Sequence, residues 1–165
     1  MVQVLFVCLG NICRSPIAEG VFRELVNERK LSHFIQCDSA GTAAYHVGGL
    51  ADKRMRKVAQ THGIALTHHA RQLSDEDFNQ FDYIVAMDES NYENIKRSRI
   101  TGNNENFPLE NILLYRLFDI DQGDSRIVPD PYYDEIEAFE TVYQIVHRCG
   151  QSFLNLLIEK EQIKH

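Results

Sequence analysis

Cys8, Arg14 and Ser15 close a short loop at the end of an apolar run, Val4-Leu5-Phe6-Val7. Leu9, Gly10, Asn11, Ile12 and Cys13 separate the thiol from the guanidinium. A nucleophile and a fixed positive charge at this spacing suit attack on phosphorus. The loop leads from a strand into a helix N-terminus, so its backbone N–H groups can converge on one anion, and the helix dipole adds positive charge there. Gly10 permits a backbone conformation that a Cβ forbids. Asn11 tolerates left-handed geometry, and its amide can tie the loop down. Arg14 offers a planar fork for two phosphate oxygens. The same field favours thiolate at Cys8, and the Ser15 hydroxyl can donate to the sulfur. Full ionisation of a free thiol gains at most about 30-fold at neutral pH. Most of the rate gain is therefore expected from donors arranged around the transferring phosphoryl group.

A thiolate on phosphorus needs help with the leaving group, because a phenolate departs poorly unless protonated. The best candidate for the acid is Asp130, in Val128-Pro129-Asp130-Pro131-Tyr132-Tyr133. Its two flanking prolines stiffen the segment and steer Asp130 away from helix. A plain turn also explains a proline-flanked aspartate; the Cys8 loop favours the catalytic reading. Tyr132 and Tyr133 then supply aromatic walls for a flat ring.

Positioning these groups requires alternating elements. Residues 2–7 read as a buried strand. Residues 16–30 read as a helix, with Pro16 in its first turn and an apolar stripe of Ala18, Val21, Phe22, Leu25 and Val26. A second strand is expected over 34–39, closed by Ala40-Gly41-Thr42. A helix over 52–62 ends at Gly63. A third strand covers 83–87, followed by a short polar helix running to about residue 99, and the polar stretch 101–106 reads as a loop. A fourth strand covers 112–115. A long helix runs from about 135 to 161, with Phe139, Val142, Tyr143, Val146, Phe153, Leu154 and Leu157 on its apolar side. Strands alternating with helices imply an α/β fold with a parallel sheet and helices on both faces. Ligands bind such sheets at the carboxyl ends of the strands, where Cys8 and Asp88 fall.

Bulk properties exclude several classes. At 165 residues, one domain over 1–165 is the default. A net charge of −7 argues against non-specific nucleic-acid binding. It does not exclude an anionic substrate, since a pocket can be positive on a negative protein. No apolar run reaches the length of about 18 residues expected of a membrane span. The cysteines, Cys8, Cys13, Cys37 and Cys149, follow no secretory segment, so a reduced cytoplasmic protein is expected.

Together, Cys8-x5-Arg14-Ser15 near the start and Asp130-Pro131-Tyr132-Tyr133 near the end resemble the low-molecular-weight protein tyrosine phosphatases. The resemblance extends through Ser39-Ala40-Gly41-Thr42, His46-Val47-Gly48, Ala70-Arg71-Gln72-Leu73, Phe81-Asp82-Tyr83-Ile84 and Met87-Asp88-x-x-Asn91. It implies a four-stranded parallel sheet of flavodoxin-like, Rossmann-like type and a cysteinyl-phosphate intermediate. Cys8 is then the nucleophile, Arg14 the phosphate clamp, and Asp130 the acid and later the base. Leu9, Gly10, Asn11, Ile12, Cys13 and Ser15 form the phosphate-binding loop, braced by Asn11, Ser15 and Ser39. The resemblance further implies that Cys13 pairs with the nucleophile on oxidation. It places Tyr132 and Tyr133 along the pocket and Leu9 and Tyr45 at a rim that tunes substrate choice. No metal or cofactor is expected. Partners are phosphotyrosine-containing proteins, with no nucleic acid and no membrane span, and the chain is expected to be a monomer.

Other readings compete. A thioredoxin-coupled arsenate reductase on this scaffold uses an additional mid-chain cysteine pair, and residues 38–148 contain no cysteine. A thiol-cofactor-coupled reductase stays open. Arginine phosphatases tend to carry threonine where this chain has Ile12, whose apolar side chain favours an aryl phosphate over a guanidinium phosphate. A non-catalytic phosphopeptide-binding module would not need Cys8, Arg14 and Asp130 together. Asp88 either orients the loop or simply caps a helix. His46 and the pair His68-His69 read as structural or surface residues, Cys37 and Cys149 as buried thiols, and 53–57 as a solvated basic helix face.

Overall fold

The computed structural model describes residues 1–163. Lys164 and His165, the end of the expected domain, lie outside the described residues. The most apolar run forms the central strand β1 (Val2–Cys8). Next to it lie β2 (Ile35–Gly41) on one side and β3 (Tyr83–Ala86) on the other, with β4 (Ile112–Leu114) beyond β3. All pairings are parallel. Cys8 stands opposite Gly41, and Val7 opposite both Ala40 and Ala86. The strand order β2-β1-β3-β4 reverses direction at β1/β3, which opens a crevice at the carboxyl ends of those two strands.

Alternation along β1 feeds two cores. Val4, Phe6 and Cys8 face α1 (Arg14–Glu28), α2 (Lys53–Thr61) and α5 (Ile136–Lys160). Leu5 and Val7 face α4 (Glu89–Thr101) and the short α3 (Asp77–Gln80), with Phe78, Phe107 and Ile95. Every residue expected on the apolar side of the long helix is buried. Gly150, in mid-helix, marks the close approach of α5 to α1. A Cβ there would lie 2.8 Å from Leu25 Cδ1 and 3.1 Å from the Tyr115 hydroxyl.

Several boundaries differ from expectation. The first helix starts at Arg14, two residues before Pro16, because Ile17 N–H already bonds the Cys13 carbonyl. It ends at Glu28, and Lys30 turns the chain with φ of 59°. α4 runs through Thr101, into the stretch read as a loop. β4 stops at Leu114 because Tyr115–Phe118 winds into a 3-10 turn. The four-residue α3 was not expected.

Phe153 is fully buried between the rings of Phe22, Tyr83, Tyr115 and Phe118, with centroids 4.9–6.2 Å away. Phe153→Ala is expected to cost about 3–5 kcal/mol of stability, through lost apolar burial and the cavity left behind. Urea denaturation measures it, and a loss under about 1 kcal/mol would contradict this packing of the core.

Candidate active site

β1 delivers Cys8 to the crevice, and the chain then curls through residues 9–13 into α1. The helix cap, Cys13, makes no side-chain capping bond, so its side chain leaves the first-turn N–H groups to other partners. The loop is held from behind by backbone bonds: Thr42 N–H donates to the Cys8 carbonyl at 2.9 Å and Ala43 N–H to the Leu9 carbonyl at 3.0 Å. That approach requires glycine at position 41. A Cβ there would lie 2.7 Å from the Leu9 carbonyl and 3.2 Å from the Asn11 nitrogen.

The left-handed residue in the loop is Asn11, at φ of 56°. Gly10 does not use positive φ, contrary to expectation; its lack of a Cβ serves proximity to His46, whose Cδ2 would be 3.0 Å away. The Asn11 side chain is buried and bonded at both ends. Its Nδ2 donates to Ser15 Oγ at 2.8 Å and to Ser39 Oγ at 3.0 Å. Its Oδ1 accepts from His68 Nε2 at 2.8 Å and from Arg71 N–H at 3.0 Å. Because Ser15 Oγ accepts from Asn11, its own proton is free to point at Cys8 Sγ, 3.0 Å away, with the Ala40 carbonyl farther at 3.4 Å.

Arg14 is 4% exposed along its side chain. It donates to Asp88 Oδ2 at 2.7 Å and to the Val128 carbonyl at 3.1 Å, and its second terminal nitrogen lies 3.6 Å from Asp130 Oδ2. Burial works against its charge, but Cys8, the Asp88 hydrogen bond and the charges of Asp88 and Asp130 outweigh that and raise its pKa. Asp88 performs both roles considered for it: Oδ2 holds Arg14, while Oδ1 caps α4 through Asn91 N–H at 2.7 Å.

Asp130 stands in the wall of the cavity, 45% exposed, its Oδ1 accepting from Tyr132 N–H at 3.2 Å. The cavity is about 240 Å³ and contains Cys8, Arg14 and Asp130 together, with Ile12, Tyr45 and Tyr132 among its sides. That is below the roughly 300 Å³ at which pockets for drug-sized ligands begin. It suits one ring and a phosphate head. Leu9, Tyr45 and Tyr133 are exposed at the mouth, Tyr133 at 95%. Cys13 is buried beside them, and burial, with Asp52, Cys8 and Asp130, pushes its thiol far above the ordinary range.

His68 has the structural role expected of it, and Arg54 does not lie on the solvated face expected of it. His68 is half-buried, and its Nδ1 lies 3.3 Å from Asp38 and 3.8 Å from the buried Glu19. These three could bring metal ligands within 4.8 Å of one another, but Arg23 already pairs with Glu19, and Arg71 with Asp38 and Asp77. The arrangement is an ion-pair network backing Asn11. Arg54, read as part of a solvated face, instead reaches the segment that carries Asp130. Cys37 is only partly buried, while Cys149 is fully buried; burial pushes both thiols up to about 12.

Residues 3–163 match the family described as low molecular weight phosphotyrosine protein phosphatase. The mouse protein of that description is 46% identical over 152 residues, covering 92% of this chain and 93% of its own length. A protein tyrosine phosphatase from Entamoeba histolytica superposes with a TM-score of 0.87 at 36% identity, over 99% of this chain and 100% of that one. A Drosophila arginine phosphatase superposes with a TM-score of 0.85 at 33% identity, over 94% and 97%.

Gly41→Ala is expected to destabilise the fold by about 1–3 kcal/mol, since the clashing atoms are backbone. It should also weaken inhibition by inorganic phosphate. Unchanged phosphate inhibition would show that the loop does not depend on this approach. Asp38 supplies a pH test. Burial works to raise its carboxyl, but hydrogen bonds from His68 and the Ser39 backbone, with the charges of Arg71 and His68, hold it well below the ordinary range. The resulting stabilisation is fully present above the ordinary value of 3.8 and is lost as pH falls through the folded one. Asp38→Asn is therefore expected to lower the urea midpoint at neutral pH and to converge with wild type in strong acid. A gap that stays constant with pH would refute this.

Proposed function

The chain belongs to the low molecular weight phosphotyrosine protein phosphatase family, and on that premise we propose that it hydrolyses phosphotyrosine on proteins through a cysteinyl-phosphate intermediate. The observation that carries this reading is one small cavity in which Cys8, Arg14 and Asp130 meet.

The phosphate head enters with its oxygens toward the loop N–H groups and the Arg14 fork. Cys8 thiolate, with the Ser15 proton on its sulfur, attacks phosphorus opposite the phenolic oxygen. As that P–O bond breaks, Asp130 in its acid form gives its proton to the departing oxygen, and the tyrosine leaves as a neutral phenol. Asp130, now a carboxylate, takes a proton from water while the water oxygen attacks phosphorus. The P–S bond breaks, phosphate leaves, and Cys8 thiolate and the Asp130 acid are restored. Positioned proton transfer of this kind contributes about 10²–10⁴-fold. The loop donors and Arg14 supply the electrostatic share, set in advance around the transferring group.

Ile12 in the cavity lining and the ring of Tyr132 favour an aryl group. A guanidinium phosphate is the second reading, supported by the likeness to the Drosophila arginine phosphatase. Cys13, buried and held protonated in the lining of the same cavity, is read as the partner of an oxidised Cys8. No helix among the described residues is long and apolar enough to cross a membrane; a cytoplasmic monomer acting on phosphoproteins rests on composition and family.

Turnover of phosphotyrosine, phosphoarginine and phosphoserine peptides by wild type, Cys8→Ser and Asp130→Ala tests the reading. Cys8→Ser is expected to lose all activity, and Asp130→Ala to lose about 10²-fold or more in kcat on phosphotyrosine. Unimpaired turnover by Asp130→Ala would reassign the acid, and a phosphoarginine preference would overturn the substrate.

A further inference from the structure

Asp130 is the least constrained member of the site. Its carboxylate is half-exposed, and among the described residues its close partners are Tyr132 N–H at 3.2 Å and Arg14 at 3.6 Å. Pro129 and Pro131 have no N–H to anchor the chain on either side of it. The aim of the carboxylate therefore depends on where the segment is held.

Its leading end is well fixed. Arg116 donates to the Ile127 carbonyl at 2.7 Å, Val128 N–H donates to the Met87 carbonyl at 2.7 Å, and Arg14 donates to the Val128 carbonyl. The trailing end is held by Arg54, from the first turn of α2. One terminal nitrogen donates to the Tyr132 carbonyl at 2.8 Å and the other to the Asp134 carbonyl at 3.2 Å. Its fork grips Asp52, with Nε to Oδ1 at 3.1 Å and a terminal nitrogen to Oδ2 at 3.0 Å. Its Cζ lies over the Phe139 ring, 4.4 Å from the centroid, and 5.7 Å from the centroid of Tyr132. Asp52 N–H in turn donates to the Ile12 carbonyl at 2.8 Å, inside the anion loop. A continuous path thus runs from Ile12 through Asp52 and Arg54 to Tyr132, whose N–H meets Asp130.

We infer that Arg54 is a positioning residue that aims Asp130 at the leaving group by tying the segment 130–134 to the anion loop. The inference rests on Asp130 being the proton donor. Four of the five guanidinium N–H groups are committed in fixed directions, and the central carbon sits over the Phe139 ring. A lysine has three donors around one atom and no plane, so it can satisfy only part of this arrangement.

A lost proton donor reveals itself by leaving group: acidic phenols depart without help, ordinary phenols do not. The test is kcat/KM on p-nitrophenyl phosphate and phenyl phosphate for wild type, Arg54→Met, Arg54→Lys, Asp130→Ala and the Arg54→Met/Asp130→Ala double variant. Arg54→Met keeps apolar bulk beside Phe139 and removes every donor. It is expected to lose about tenfold on phenyl phosphate and about twofold or less on p-nitrophenyl phosphate. The loss should appear in kcat/KM, which reads formation of the cysteinyl phosphate and not its hydrolysis, while inorganic phosphate should inhibit as before and Arg54→Lys should lie between. In the Asp130→Ala background Arg54→Met should cost nothing further, since there is no carboxyl left to aim. Equal losses of kcat/KM on both substrates, weakened inhibition by inorganic phosphate, or a further loss in the double variant would each overturn the inference. Should Arg54→Met not fold, Arg54→Lys carries the same comparison. If Asp130→Ala itself shows no leaving-group dependence, the proton-donor reading fails and the inference falls with it. If Asp130→Ala does and neither Arg54 variant does, only the inference fails.

Discussion

The left-handed backbone of Asn11 is the constraint on which the site depends. At φ of 56° a residue with a Cβ sits in a disfavoured region, and it persists only where its surroundings hold it there. The surroundings are four hydrogen bonds that use both ends of one buried amide. Each bond has a second consequence. The bond to Ser15 frees the serine proton for the Cys8 sulfur. The bond to Ser39 joins the loop to β2, and those from His68 and Arg71 join it to the Glu19–Asp38–Asp77 ion pairs. A single turn residue thereby couples Cys8, through Ser15, to the sheet and to a charged network behind it. Buried polar networks of this kind stabilise only when complete, because each unpaired member costs more than a bond returns.

Charge is organised around Arg14 on the same logic. A guanidinium removed from water needs compensation, and Asp88, Asp130 and Cys8 surround it. The protein as a whole carries −7, yet the cavity is lined by the buried Arg14 cation and the loop at the start of α1. An anionic substrate is met by local donors, not by net charge. Asp88 serves two elements at once: one carboxylate starts α4 with one oxygen and fixes Arg14 with the other.

The chemistry was legible because it lies in a contiguous stretch. Cys8, Asn11, Arg14 and Ser15 are close in sequence, and a strand-loop-helix arrangement places them together without long-range information. The periodicity of α5 and the apolar run of β1 were equally plain. Features that depend on distant partners were not. Arg54 sits in a run of charges that helical spacing assigns to solvent, and nothing local indicates that the carbonyls of Tyr132 and Asp134 wait opposite. A structural role for His68 is legible, but its partners are not, because Asn11, Asp38 and Glu19 are thirty or more residues away along the chain. Gly10 was credited with backbone freedom when its value is room for His46.

Sequence alone determined the candidate reagents and their local frame: a thiol, a guanidinium and a hydroxyl at the spacing of one loop, and a strand and helix to hold them. These follow from residue type and near-neighbour spacing, which short-range sterics and hydrogen bonding translate directly into geometry. The tertiary structure decided where Asp130, more than a hundred residues from Cys8 along the chain, stands relative to the sulfur. It also decided what compensates each buried charge. Those depend on sheet order and on contacts between segments remote in sequence, and they exist only once β1 and β3 pair and the crevice forms beyond their carboxyl ends.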